Sequence, residues 1–302
     1  MSAEGGTETV SAVQGTGNWL IVGARGMLGR DLETLLLERG AGHTALGRAE
    51  LDLADAAAVA DAAAGHDVVV NAAAWTNVDG AEEHEAEASA VNGEAVRGLA
   101  RACAATGARL LHPSTDYVFP GDATAPIPED APTAPLNAYG RSKLIGERAV
   151  LELTPETGYV VRTAWLYGRH NKNFVDTMLR LAKERDFVNV VDDQRGQPTS
   201  TVALARQLLA LGGAALAGRA PAGVYHGTCS GETTWCGLAK AAFALSGHDP
   251  ERVRPIGSDQ YPMPAARPAY SVLGHGRWAA AGLAPMPDWH EALAEYLGVV
   301  AG

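Results

Sequence analysis

The sequence predicts an α/β protein, a doubly wound parallel sheet carrying a smaller C-terminal lobe. Three observations lead there. Strand-like and helix-like stretches alternate from residue 19 to residue 168. The strand-like stretches are continuous apolar runs such as WLIV and DVVV, the pattern of strands covered on both faces. A glycine-rich turn, GARGMLG, joins the first run directly to the first helical stretch. Such alternation implies parallel strands linked by right-handed helical crossovers.

Taken in order, WLIVGA (19–24) reads as a buried strand and Met27 to Glu38 as a helix stopped at Arg39-Gly40. HTALG (43–47) is a short second strand, Ala54 to Ala64 an alanine-rich helix and DVVVNAAA (67–74) a third strand. Residues 79–106 read as one helix that opens on AEEHEAE, acids that suit a helix start. RLLHPSTDYVF (109–119) opens with a strand, and the proline-rich 122–136 is a loop. Ala138 to Leu153 is a helix, and GYVVRTAWLYG (158–168) contains another strand. Past Gly168 the pattern loosens into a helix (174–184), a strand (187–191), a helix (202–211) and the candidate strand VYHGT (224–228). A tail rich in proline and glycine follows through YPMPAARPAY. The expected division is a nucleotide-binding domain over 19–168, to which 195–230 returns, and a substrate lobe from 169–194 and 231–302. Residues 1–18, polar and glycine-rich, read as a disordered tail.

Composition narrows the function. The 302 residues carry a net charge of −11, which argues against a general affinity for nucleic acid or anionic membranes. No apolar run approaches the roughly 20 residues that span a bilayer. Three cysteines (Cys103, Cys229, Cys236) without CxxC spacing suit a reducing cytoplasm and read as small buried residues. The nine histidines show no metal-binding spacing, and no catalytic metal is expected.

GARGMLG places Gly23, Gly26 and Gly29, with Arg25, Met27 and Leu28, between strand and helix. Glycines there allow a tight turn and bring backbone N–H groups close to a pyrophosphate at the helix start, as in Rossmann-type dinucleotide sites. At the end of the second strand an acid would select NAD; this chain has Gly47-Arg48. Arg48, helped by Arg25, can pair with the 2′-phosphate of NADP, so NADPH is the expected cofactor and NADH the alternative. Asp52 and Leu53 are placed to meet the adenine, with helix capping as the other reading of Asp52. The small residues of Asn71, Ala72, Ala73 and Ala74 let a cofactor lie flat against backbone.

NAYGRSK sets Tyr139 and Lys143 four residues apart, on one helix face. Ser114-Thr115-Asp116 ends the preceding strand, and both border the ligand crevice of a parallel sheet. A hydroxyl, a phenol and an ammonium thus converge on one carbonyl, and the lysine is expected to lower the tyrosine pKa into a working range.

These residues resemble the extended short-chain dehydrogenase/reductase superfamily and, within it, the dTDP-4-dehydrorhamnose reductase family. The markers are GARGMLG, NAAAWTNVD, STDYVFPG, PLNAYGRSK, RTAWLYG, NFVDTMLRLAKER, DDQRGQPT and ARPAYSVL, over residues 19 to 295. The resemblance implies NADPH-dependent reduction of the 4-keto group of dTDP-6-deoxy-L-lyxo-4-hexulose. It makes Tyr139 the proton donor, Lys143 its modulator and a ligand of the nicotinamide ribose, and Thr115 the partner of the carbonyl oxygen beside Asp116. Thr76, Val78, Asp79 and Trp165 would border the substrate, and Arg267 would meet its diphosphate. The segment departs from the family's usual RPANSRL at Tyr270 and Val272. Some family members are homodimers bridged by Mg²⁺; here Asp31 is kept but Val202 replaces a second acid, so metal and dimer both stay open. Other classes left open are reduction of a different 4-keto-6-deoxysugar, epimerisation or dehydration of a nucleotide sugar, and a non-catalytic regulatory subunit.

Overall fold

In the computed structural model, which describes residues 17–299, six short apolar runs form one parallel sheet. They are β1 (Trp19–Val22), β2 (His43–Leu46), β3 (Val68–Asn71), β4 (Arg109–Thr115), β5 (Gly158–Thr163) and β6 (Gly223–His226). The spatial order is β6-β5-β4-β3-β1-β2, every pairing parallel. Side chains alternate between two layers, as the pleat requires. Trp19, Ile21, Val68, Val70, Leu111, Tyr159 and Val161 pack beneath helices Met27–Glu38 and Thr201–Leu216. Leu20, Val22, Val69, Leu110 and Val160 pack beneath helices Ala56–Ala63 and Ala95–Thr106. Both faces are covered, which is why the runs show no polar alternation.

Strand order reverses beside β1: β2 lies on one side, β3 and all later strands on the other. Ligands of open α/β sheets bind at such a reversal, beyond the carboxyl ends of the strands. Here those ends carry GARGMLG after β1 and NAAA at the end of β3.

The chain beyond β5 builds three small two-stranded pairs: Leu166–Tyr167 with Thr199–Ser200, Val188–Val191 with Val253–Ile256, and Arg195–Gly196 with Thr233–Thr234. Helices Phe174–Glu184 and Trp235–Leu245 enclose a separate apolar cluster of Met178, Val188, Val190, Phe243 and Val253. Helices Trp235–Leu245 and Trp289–Leu297 lie in the stretch expected to be proline- and glycine-rich tail. Their start signals are local: Thr234 accepts from Gly237 N–H at 2.9 Å, and Asp288 from His290 N–H at 2.8 Å. The three cysteines are free and buried. Among the described residues no helix is long and apolar enough to cross a membrane. The expected tail, 1–18, lies outside the described residues except for its last two.

The expected single helix over 79–106 is broken. It runs as Gly80–Glu83, Glu85–Ser89, a π-helical turn Ala90–Glu94, and Ala95–Thr106. The cause is Asn92, 1% exposed. Its Oδ1 accepts from Trp75 N–H at 2.9 Å, and its Nδ2 donates to Trp75 O at 3.1 Å and Ser142 Oγ at 2.9 Å. One side chain thereby satisfies the loop after β3 as a neighbouring strand would, and the helix widens to admit it. Removing it orphans a donor and an acceptor of Trp75. Asn92→Ala is expected to lower unfolding free energy by about 2 kcal/mol in urea titrations, with an unchanged m value.

Candidate active site

At the turn after β1, Gly23 has φ +80°, and a Cβ there would collide with Ala73 N. A Cβ on Gly29 would collide with Gly23 O and Ala24. Those two glycines serve the loop's own packing. Gly26 differs: it is exposed, and an added Cβ meets only Gly23 O, at 3.4 Å. It precedes helix Met27–Glu38 without a side-chain cap, so no capping oxygen competes for the first-turn N–H groups. That cradle fits the pyrophosphate of a dinucleotide. Met27 is half-buried beside it, and Leu28 is buried in the core.

Arg48 is exposed after β2. Arg25 stands 3.6 Å from Glu33 and 3.4 Å from Glu50. Sequence reading found no acid at the end of the second strand, yet Glu50 folds back so that its Oε2 accepts from Gly47 N–H at 2.8 Å. That bond, together with Arg25, holds its carboxyl below the ordinary value. Asp52 is exposed and accepts from Ala54 N–H at 3.0 Å, but the helix cap is Asp55, at 3.0 and 3.1 Å from Ala57 and Ala58 N–H. Leu53 packs half-buried against the core. Asn71 is buried against the His112 ring, 3.2 Å away; Ala72 and Ala73 are half-buried, and Ala74 is exposed.

Helix Ala138–Leu153 carries the reactive groups. Asn137 starts it, accepting from Gly140 N–H at 2.8 Å while donating to Ala266 O at 2.8 Å, a bond that ties the helix to the C-terminal segment. A Cβ on Gly140 would strike Tyr117 O, and one on Gly146 would strike Asn92 O, so both glycines let the helix lie close on its neighbours. The buried face is unusually polar, with Ser142, Lys143 and Glu147. Lys143 Nζ donates to Pro113 O of β4 at 2.7 Å. Thr115 Oγ1 donates to Asp116 Oδ1 at 3.1 Å and accepts from Tyr117 N–H at 3.2 Å. Tyr117 and Tyr139 meet edge to face, 5.9 Å between ring centres.

The electrostatics differ from the expected sign. Desolvation of its hydroxyl pushes the Tyr139 phenol up to about 12, the Asp116 carboxylate adds to the rise, and the Thr115 hydroxyl opposes it. Lys143 is not among the groups that shift it. Its ammonium is committed to Pro113 O, and burial pulls its own pKa down to about 8 against the pull of Glu147. The lysine does not lower the phenol here. Burial sets both groups.

Asp79 and Arg267, expected at different parts of a substrate, form a bidentate ion pair with N–O distances of 2.6 and 2.8 Å. Arg267 also borders a cavity of about 830 Å³ with Tyr117, Phe174, Met178, Phe187 and Trp235. Apart from Tyr117, its wall comes from the stretches expected to form the substrate lobe, with NFVDTMLRLAKER contributing much of it, but of the individually expected site residues only Arg267 lines it. Thr76 is exposed and Val78 half-buried in the loop that leads to Asp79. Trp165 is half-buried and has φ +48°, the only non-glycine among the described residues in the left-handed region. Its ring stacks on Trp235 at 3.7 Å and 8°, and covers Gly196, where a Cβ would come within 2.7 Å of the ring. Strained backbone of this kind persists where the surroundings fix it, and it clusters at functional sites.

Asp116 gives the site a pH signature. Burial raises its carboxyl to about 6, eased by the Ser271 and Thr115 hydroxyls. The folded value lies above the unfolded one near 3.8, so the folded state holds the extra proton between them, and stability falls as pH rises through that window. Asp116→Asn removes the cost. Urea unfolding of the variant should show a gain on the order of 2 kcal/mol at pH 8 and little change at pH 4.

A family model described as the RmlD substrate binding domain matches residues 17–301. A dTDP-4-dehydrorhamnose reductase of Streptomyces griseus is 58% identical, with 94% of each chain covered. A dTDP-4-keto-6-deoxy-D-glucose reductase of Streptomyces niveus is 49% identical over 93% of this chain and 96% of its own. The crystal structure of a Bacillus anthracis dTDP-4-dehydrorhamnose reductase in complex with NADP superposes with a TM-score of 0.87 at 34% identity, over 93% of this chain and 98% of that one. The chain belongs to the RmlD substrate-binding-domain family, the family of the dTDP-4-dehydrorhamnose reductases.

Proposed function

We propose that this protein is a cytoplasmic NADPH-dependent 4-ketoreductase that converts dTDP-6-deoxy-L-lyxo-4-hexulose to dTDP-L-rhamnose. The observation that carries the reading is the meeting of Tyr139, Thr115 and Asp116 above a buried Lys143, beside an apolar cavity bordered by Arg267. The free, buried cysteines suit a reducing compartment. Arg48 and Arg25 support NADPH against the Glu50 carboxylate at Gly47 N–H, as does the NADP complex of the Bacillus relative. Arg25 pairs with Glu33 and Glu50, and a bound 2′-phosphate would compete with them for it.

When bound, the nicotinamide supplies the hydride. The chain supplies the proton and the positioning. With a pKa near 12, Tyr139 keeps its hydroxyl proton throughout the neutral range. A developing secondary alkoxide is more basic than a phenolate, so transfer from Tyr139 to the C4 oxygen runs downhill. Thr115, already fixed by Asp116 and Tyr117 N–H, donates to the same oxygen by turning its hydroxyl. Lys143 would hold the nicotinamide ribose with the donors that its bond to Pro113 O leaves free. Trp165, propped by Trp235, borders the sugar with Thr76, Val78 and Asp79. The thymine enters the apolar cavity between Phe174 and Phe187, and Arg267 at its rim meets the diphosphate by exchanging part of its bonding to Asp79.

The Streptomyces niveus relative favours a second reading, in which the ketone belongs to another dTDP-4-keto-6-deoxysugar. Product identification by NMR after incubating the enzymatically prepared 4-keto sugar with NADPH or NADH separates the readings. dTDP-L-rhamnose, formed faster with NADPH, is expected; no NADPH oxidation with any dTDP-4-keto sugar contradicts both. In the same assay Tyr139→Phe should lower kcat about a hundredfold or more, with the Kd for NADPH nearly unchanged. Full activity of that variant removes Tyr139 as the acid.

A further inference from the structure

Behind Lys143 lies a second pair of charges that the reaction does not touch. Glu147 sits one helical turn beyond Lys143 on the same buried face of helix Ala138–Leu153, and is 1% exposed. Arg162, from β5 and 4% exposed, reaches it with Nε at 3.0 Å from Oε1 and Nη2 at 2.8 Å from Oε2. The guanidinium also lies over the Phe119 ring, 4.8 Å from its centre, and donates to Glu129 O at 3.4 Å. Lys143 itself is 2% exposed. Three charged side chains thus share one interior. A buried ion pair is weak evidence for stability, since apolar residues of similar volume often serve as well. Stability alone therefore does not explain why this pair stands one turn from the lysine.

We propose that Glu147, held in place by Arg162, is a positioning residue that keeps the fully buried Lys143 in its ammonium form at neutral pH. The reading deepens the role given to Lys143 above and rests on it. Desolvation pulls Lys143 down to about 8, and the Glu147 carboxylate is the one group that opposes the pull. Without it the lysine would lose its proton within the physiological range. The other neighbours do not replace it. His112 of β4 is held neutral by burial and by the lysine's own charge. Asp116 and Tyr139 act on each other at the crevice side. On the opposite flank, Glu82 accepts from Ala138 N–H, Glu85 pairs with Arg141, Glu94 with Arg97, and the Cys103 thiol is pushed up to about 12.

The chain has four lysines, Lys143, Lys172, Lys183 and Lys240, so NMR of protein labelled with ¹³C at lysine Cε follows each one. The signal lost in Lys143→Arg identifies Lys143. In Glu147→Gln its titration midpoint should fall by about one pH unit or more relative to the unsubstituted protein, and the alkaline limb of kcat/KM should move with it. Should the uncompensated Arg162 prevent folding, Glu147→Leu combined with Arg162→Met removes the pair together, and a displacement in the same direction but smaller is expected, because the guanidinium charge goes with the carboxylate. An unchanged Lys143 titration in either folded variant overturns the proposal, as does a displaced titration with an unmoved alkaline limb. A displaced titration in a protein that turns over no 4-keto sugar leaves the charge-setting role standing and removes the proposed reaction instead.

Discussion

Burial of the polar face of one helix is the constraint on which the rest of this structure depends. Tyr139, Lys143 and Glu147 follow one another at intervals of four residues, and the helix lies so close to Tyr117 O and Asn92 O that only glycine fits at 140 and 146. That approach brings the ammonium onto Pro113 O, the phenol beside Thr115, and the carboxylate onto Arg162. Asn137 fixes the start of the helix to residue 266, and Asn92 fixes its flank through Ser142 to the loop after β3. The loops on both sides of the crevice are therefore referenced to the same helix.

Burial also decides the charge states. The Tyr139 phenol and the Asp116 carboxyl are both pushed toward their neutral forms, and so is the Lys143 ammonium. An interior that resists charge this strongly also magnifies the interactions of any charge that forms there. An oxygen gaining negative charge next to Tyr139 and Thr115 would be stabilised by hydroxyls already in place, the Thr115 hydroxyl needing only to turn from Asp116. The site's strength in this account is preorganisation in a dry setting. A phenol made acidic in advance is not required.

Much of this was legible in the chain because it is written locally. Continuous valine and leucine runs announce strands covered on both faces, and a glycine turn between strand and helix announces a dinucleotide cradle. What could not be read depends on residues far apart. The π-helical turn arises because Asn92 bonds to Trp75, and the pairing of Asp79 with Arg267 joins residues 188 positions apart. Glu50 folds back on Gly47 across a turn whose shape no spacing rule supplies. Helix Trp235–Leu245 was hidden by the glycine and proline around it, although Thr234 marks its start. The sign of the Tyr139 shift was misread for a related reason: four-residue spacing suggests a neighbouring cation, but it says nothing about desolvation or about a carbonyl that engages the lysine first.

The most direct test of this account is the protonation of Tyr139 itself, followed by ¹³C NMR of tyrosine labelled at Cζ and assigned through the signal missing in Tyr139→Phe. A phenol governed by burial keeps the shift of its neutral form from pH 6 up to at least pH 10. A Tyr139 signal that moves to the phenolate position below pH 8 in the free protein would show that the nearby ammonium, and not burial, governs the site.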